Sequence, residues 1–253
     1  MSRLVLFDCD GVLVNTEEIG YQLLTDMLAD HGVSMTREDF VRKIAGVTYA
    51  IFLENLKQEV KAQSGQGLPD DFRQKLSARL VEEHKRKMRA IDGVVPLLDN
   101  LQKHDVPFAV CSNSGAANLI AKLRQVGLFD YFVPRVFSRD HVENAKPAPD
   151  MYLMAARSLG DFDPQDCIVV EDSLTGATAG MAAGMKVIGF VGEPHRHHRE
   201  ADWLLESGVD HVARHHDEVW AYVAREAALS AVQKAPHLGS DLIHFVNSAR
   251  ENF

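Results

Sequence analysis

Four consecutive apolar residues, Leu4 to Phe7, run straight into Asp8-Cys9-Asp10-Gly11. The run has the length and apolarity of a strand buried on both faces, and Gly11 supplies the turn that ends it. In open α/β sheets ligands gather where the strands leave the sheet, so the two acids fall where a ligand would lie. Residues two apart on an extended strand point the same way, which lets both carboxylates face one reacting group, one attacking while the other moves a proton. Aspartate also serves as a plain turn former. Two acids closing a buried strand repel each other, however, and call for a cation or for chemistry to offset them.

The rest of the chain extends this pattern. Apolar runs at Pro107–Cys111, Val133–Phe137, Cys167–Val170, Val187–Val191 and Val209–Ala213 read as further strands, most of them separated by helical patterns. That alternation marks an α/β fold, a Rossmann-like parallel sheet with helices on both faces. Between about Glu17 and Met88 the strand signal vanishes, and Tyr21, Leu24, Leu28 and then Ile51, Leu53, Leu56 recur at helical spacing. The expected organisation is a core of residues 1–16 and 89–253 with an inserted all-helical cap domain, residues 17–88, broken by a loop at Gln63–Asp70. The basic stretch His84–Arg89 reads as a solvated helix face. A helix should follow Ala213 through Ala228, and Ser240 to Asn252 carries helical spacing without a chemical motif.

At 253 residues the chain can bury a full core in one domain or two. A net charge of -9 and the lack of a basic stripe argue against nucleic acid as a partner. No apolar run is long enough for a membrane span, and Asp8 arrives too early for a signal peptide, so the expected location is cytoplasmic. Cys9, Cys111 and Cys167 sit in or beside strand patterns, as reduced core thiols do, and imply neither a disulfide framework nor a metal cluster. A monomer or a small homo-oligomer is expected.

Three further segments carry chemistry. The second strand ends in Ser112-Asn113-Ser114-Gly115 before a helix at about Ala116, and amides at a helix N-terminus attract phosphate, although Ser and Asn also cap ordinary helices. In Lys146-Pro147-Ala148-Pro149-Asp150 two prolines stiffen the loop that carries the lysine. A fixed ammonium there could neutralise both a phosphoryl oxygen and the carboxylates. The fourth strand ends in Glu171-Asp172-Ser173, a second pair of acids, followed by a helix of small residues suited to close packing. With Asp8 and Asp10 these acids offer the hard oxygen ligands that Mg2+ prefers, and no Cys/His spacing suggests zinc.

These four segments, in this order, resemble the motifs of the haloacid dehalogenase superfamily, in its phosphatase and β-phosphoglucomutase-like branch with an inserted helical cap. The resemblance covers at least residues 3 to 214. It implies phosphoryl transfer through an aspartyl phosphate, with Asp8 as nucleophile and Asp10 as the acid and later the base. Ser112, Asn113 and Lys146 would hold the phosphoryl group. Asp8, the Asp10 backbone carbonyl, Asp172 and, more weakly, Glu171 would hold Mg2+. Family members acting on haloacids or phosphonates lack the second aspartate, so Asp10 favours phosphate esters. A mutase grips a second phosphate with an arginine after a cap turn that reads Gly46-Val47-Thr48-Tyr49 here. Its gating histidine corresponds to Gly20, and Gly115 and Ala116 lack the mutase's polar side chains. Arg79 could substitute from elsewhere in the cap. Thr48, Tyr49 and Arg79 are thus the candidate specificity residues. The expected function is a Mg2+-dependent phosphatase of a small phosphorylated metabolite, a sugar phosphate first. A sugar phosphomutase is the alternative, and a non-catalytic binding protein is a third class. His195, His197, His198, His215 and His216 are read as polar loop residues, and Trp203 and Trp220 as core.

Overall fold

The computed structural model describes residues 3–43, 49–192 and 198–234. Its elements run β1 (Leu4–Phe7), α1 (Thr16–Ala29), α2 (Arg37–Lys43), α3 (Tyr49–Ser64), α4 (Phe72–Lys87), α5 (Val94–Lys103), β2 (Phe108–Ser112), α6 (Ala116–Gln125), α7 (Phe129–Phe132) and β3 (Val136–Ser138). They continue with α8 (Asp150–Ser158), β4 (Cys167–Glu171), α9 (Leu174–Ala182), β5 (Lys186–Phe190), α10 (His198–Glu206), β6 (His211–Ala213) and α11 (His216–Lys234). The six strands form one sheet in the order β3-β2-β1-β4-β5-β6, every neighbouring pair parallel. The α/β expectation therefore holds.

β1 lies at the centre of the sheet and has no exposed side, which explains its unbroken apolarity. Its alternate residues feed opposite cores. Val5 and Phe7 pack with α5, α6 and α11, and Leu4 and Leu6 with α8, α9 and α10. Phe7, Phe108 and Phe132 meet edge to face, with ring centroids 5.4 to 6.4 Å apart. Such pairs contribute about 0.5–1.5 kcal/mol each beyond their burial.

Two strands are shorter than their apolar runs. The third begins at Val136 because Pro134, which has no N–H to donate, follows α7 directly. The sixth begins at His211 because Gly208, at φ +98°, turns the chain, and the Asp210 carboxylate accepts from the Val187 amide ahead of the strand. The small residues of α9 behave as expected. A Cβ on Gly180 would stand 2.8 Å from Val187 and 3.2 Å from Val169, so glycine is what lets the helix lie flat on β4 and β5.

Helices α1 to α4 all fall between β1 and α5 and enclose a hydrophobic cluster of their own, including Leu24, Leu28, Leu56, Phe72 and Leu76. The chain's two passages between this insert and the sheet lie side by side. Val14 bridges Ala90, the Asn15 amide donates to the Arg89 carbonyl at 3.2 Å, and the Asn15 side chain accepts from the Arg89 amide at 2.8 Å. At the far end, buried Arg37 of α2 pairs with Glu18 of α1 at 3.1 Å and with Glu200 of α10 at 3.3 Å, tying insert to sheet helices. The basic end of α4 is a solvated face as expected, Lys85, Arg86 and Lys87 pairing with Glu82 and Glu83. The segment Ser240–Asn252 lies outside the described residues.

Candidate active site

The C-terminal ends of β1, β2 and β4 are adjacent in the sheet, so the residues just beyond them share one edge. Beyond β1 come Asp8 and Asp10, β2 closes with Ser112, and β4 closes with Glu171 ahead of Asp172. The loop before α8 brings Lys146 into the middle.

The Lys146 ammonium is buried and directs its three protons at Asp8 Oδ1 (2.7 Å), Glu171 Oε1 (2.6 Å) and the Cys111 carbonyl (2.7 Å), with the Tyr152 ring 4.7 Å away. Burial opposes its charge, but Asp8 and Glu171 outweigh that and hold its pKa well above the ordinary lysine value. Its loop is fixed by Asn113, whose side-chain oxygen accepts from the Lys146 amide at 3.0 Å and whose nitrogen donates to the Lys146 carbonyl at 3.1 Å. The Asn113 side chain is thus a clamp on the lysine loop, which leaves its main-chain amide as the group to offer an anion. Ser112 is buried with its Oγ accepting from the Ser114 amide at 3.1 Å, and its hydroxyl proton can still be donated.

Burial pushes the Asp8 carboxyl up to about 7, Lys146 pulling against it and Glu171 and Asp10 adding to it. Glu171 is equally enclosed, accepting from Lys146, from Tyr152 Oη at 2.8 Å and from Ser173 Oγ at 3.1 Å. A Cβ on Gly176 would overlap its carboxylate, which explains the glycine in the first turn of α9. Carboxylate oxygens of Asp8, Glu171 and Asp172 lie within 4.8 Å of one another, a grouping that can hold a metal ion.

The two strand-end aspartates rest on different lysines. Asp10 turns away from Lys146 to a second lysine, Lys122 of α6, whose ammonium donates to its oxygens at 2.6 and 2.7 Å. Thr16 donates to Oδ1, and Ser114 donates to Oδ2 at 3.2 Å. Burial alone would raise the Asp10 pKa; the Lys122 charge and these hydrogen bonds overcome it and leave it below the ordinary value. Sequence reasoning missed Lys122, Thr16 and Tyr152. A signal existed for Lys122, since it stands in the stripe formed by Leu119 and Leu123 that α6 turns toward the sheet.

Of the expected specificity residues, Arg79 alone has a described side chain, and it is not at this cluster. Thr48 lies outside the described residues, as does the side chain of Tyr49, which begins α3. Arg79 is exposed on α4 and lines a hollow with Met27, His31 and Phe72, away from the acids, so the substitute-clamp role has no geometric support. His195 and His197, and the side chain of His198, also lie outside the described residues. His216 is no loop residue. It is buried, its ring nitrogens 2.9 Å from the Asp92 carbonyl and 3.0 Å from that of Val12.

Residues 5–190 match the sequence profile of the haloacid dehalogenase-like hydrolases. The chain belongs to the haloacid dehalogenase-like hydrolase family. Over 215 residues it is 32% identical to the bifunctional riboflavin kinase/FMN phosphatase of Arabidopsis thaliana, an alignment covering 83% of this chain and 54% of that protein. The chain thus spans about half the length of that relative. It is 28% identical over 197 residues to the 6-phosphogluconate phosphatase of Escherichia coli, covering 77% of this chain and 86% of the relative. Among solved structures it resembles a haloacid dehalogenase family hydrolase of Deinococcus radiodurans with bound phosphate and sodium, at 34% identity and a TM-score of 0.79, over 90% of this chain and 97% of that one. Among the described residues, no helix of this haloacid dehalogenase-like hydrolase is long and apolar enough to cross a membrane.

Gly11 offers a direct test of the acid cluster. It sits at φ +75°, and a Cβ there would stand 1.9 Å from Asp172 Oδ2. Gly11→Ala therefore strains the turn and displaces Asp172. Misplacement of a site group by about 1 Å can cost about 10²-fold, and a loss of that size in hydrolase activity is the expected result.

Proposed function

We propose that this hydrolase is a Mg2+-dependent phosphatase of a small phosphorylated carbohydrate, acting through an aspartyl phosphate on Asp8. The observation that carries the reading is Lys146, held between Asp8 and Glu171 at the sheet edge, where one ammonium serves both the nucleophile and the metal-site acids. The names of the phosphatase relatives support the reaction class.

Asp8, Glu171 and Asp172 fit a hard divalent cation, being oxygen donors that lie within 4.8 Å of one another. With the Asp10 carbonyl they would hold Mg2+, which supplies charge neutralisation for the phosphoryl oxygens and the nucleophile. Asp8 attacks phosphorus in line, while Asp10, having taken up the proton of the entering phosphate monoanion, delivers it to the departing oxygen. The Ser112 hydroxyl and the Asn113 main-chain amide bind the phosphoryl oxygens, and Lys146 keeps Asp8 aimed. Asp10 then takes a proton from the water that opens the aspartyl phosphate. Such a proton shuttle contributes typically about 10²–10⁴ in rate. We assign residues 17–88 the role of a cap that closes over this edge and excludes bulk water, with the 14–15/87–90 crossing as its hinge.

The deciding assay is phosphate release from a panel of phosphomonoesters, with 6-phosphogluconate and β-glucose 1-phosphate included, in Mg2+ and in chelator. Release is expected from some esters, lost in chelator and restored by Mg2+. Conversion of β-glucose 1-phosphate to glucose 6-phosphate without release would mean a mutase instead. Silence on both would leave a binding protein. In the metal-free protein Mg2+ competes with the proton on Asp8. Its apparent affinity is therefore expected to weaken as pH falls below about 7, which calorimetric titration at several pH values would show.

A further inference from the structure

Lys122 has no place in the scheme above, yet it is buried on α6 and holds Asp10 by both oxygens. Among the described residues three side chains hydrogen-bond to Asp10, and all of them donate: Lys122 to both oxygens, Thr16 to Oδ1 and Ser114 to Oδ2. Lys122 also donates to Ser114 Oγ at 3.1 Å, which fixes the ammonium from a second direction. The insert packs over the same stretch of α6, Gln125 Nε2 donating to the His84 carbonyl at 2.7 Å, so α6 is held in place from above. This donor set fixes both Asp10 oxygens in place. It is distinct from the environment of Asp8, whose cation is Lys146.

We infer that Lys122 is a positioning residue for leaving-group departure: gripping both carboxylate oxygens, it aims Asp10 at the leaving oxygen. This rests on the phosphatase reading and refines it. In that step the proton of the entering phosphate monoanion passes to Asp10, an Asp8 oxygen bonds to phosphorus, the bond from phosphorus to the ester oxygen breaks, and that proton ends on the released alcohol. A donor set already arranged around Asp10 holds it in position for the transfer without reorganising. The benefit depends on the leaving group. An alkoxide must be protonated to depart, whereas p-nitrophenolate is stable enough to leave with little help.

The experiment compares kcat/KM for glycerol 2-phosphate and p-nitrophenyl phosphate in wild type, Lys122→Met, Lys122→Arg and Asp8→Asn, with melting curves for each. Where glycerol 2-phosphate is a poor substrate, the fastest alkyl ester of the panel replaces it. Lys122→Met is expected to lose about 10- to 100-fold on the alkyl ester, the size of a lost charged hydrogen bond, and less than about 3-fold on the aryl ester. Lys122→Arg should restore most of the alkyl activity. Equal losses on both esters, or none on either, would overturn the inference. So would a Lys122→Arg variant that splits the two substrates as Met does. A wild type that hydrolyses neither ester would overturn the phosphatase reading and this inference with it, whereas an active wild type with equal losses removes the inference alone.

Discussion

Replacing Asp8 by Asn is expected to lower phosphate release by about 10⁴-fold or more on every substrate, because in the proposed mechanism Asp8 forms the covalent bond to phosphorus. The fold should survive. The introduced carboxamide keeps a side-chain oxygen for Lys146 Nζ, which lies 2.7 Å from the Asp8 carboxylate, and it relieves the repulsion from Glu171 and Asp10. A loss of turnover with a melting temperature close to wild type separates chemistry from stability. The metal-free proteins should also differ in pH dependence. The folded-state pKa of Asp8 is raised from 3.8 to about 7, so the folded protein holds a proton that the unfolded chain has already lost. Stability from that proton is fully present below the unfolded value of 3.8 and is lost as pH rises through about 7. Thermal melts in chelator should therefore show the wild type losing stability relative to Asp8→Asn between those limits. Parallel curves would mean that Asp8 is not protonated there.

Lys146→Met is expected to damage both fold and activity. It leaves Glu171 and Asp8 buried without their cation, and breaking a buried ion pair from one side costs about 3–5 kcal/mol. Activity should fall by about 10³-fold, the upper range for removing one preorganised electrostatic group. Lys146→Arg should rescue poorly, because the ammonium directs three donors to Asp8, Glu171 and the Cys111 carbonyl, which a planar guanidinium cannot reproduce. With the lysine gone, the acid cluster has more uncompensated charge. Mg2+ should then raise the melting temperature of Lys146→Met more than that of wild type. A variant as stable as wild type in chelator would show that the pairing contributes little.

The sheet and the reactive edge were legible in the sequence because both rest on short-range signals. A parallel strand buried on both faces must be apolar throughout, so an acid pair ending such a run, as at Asp8 and at Glu171, stands out without knowledge of the fold. The insert was legible for the same reason, since Tyr21, Leu24 and Leu28 keep one helical face. What was not legible depends on chains meeting across long separations. Lys122 is 112 residues from Asp10, and its stripe on α6 shows that it is buried but not what it meets. The Asn113 amide was read as a phosphoryl ligand, but that the Asn113 side chain clamps a loop 33 residues away was not legible. Arg79 was chosen by charge alone, and helix geometry turned it to a different hollow. His216 follows a strand, as polar loops do, but Val12 and Asp92 bury it.

The order of strands in the sheet has a consequence for how the chain folds. β1 emerges before both of its sheet neighbours, β2 and β4, so it stays half-paired until residue 170 is available. Contacts of such separation are slow to form, because loop closure precedes any gain from them. A register slip of one residue between β1 and β4 would turn Glu171 to the opposite face of the sheet, away from Lys146. Charge compensation at the reactive edge is therefore complete only in a correctly threaded sheet. Nascent or misregistered chains should be inert, and hydrogen-exchange protection of the Asp8 amide, bonded to the Val170 carbonyl, should be among the last to appear during refolding.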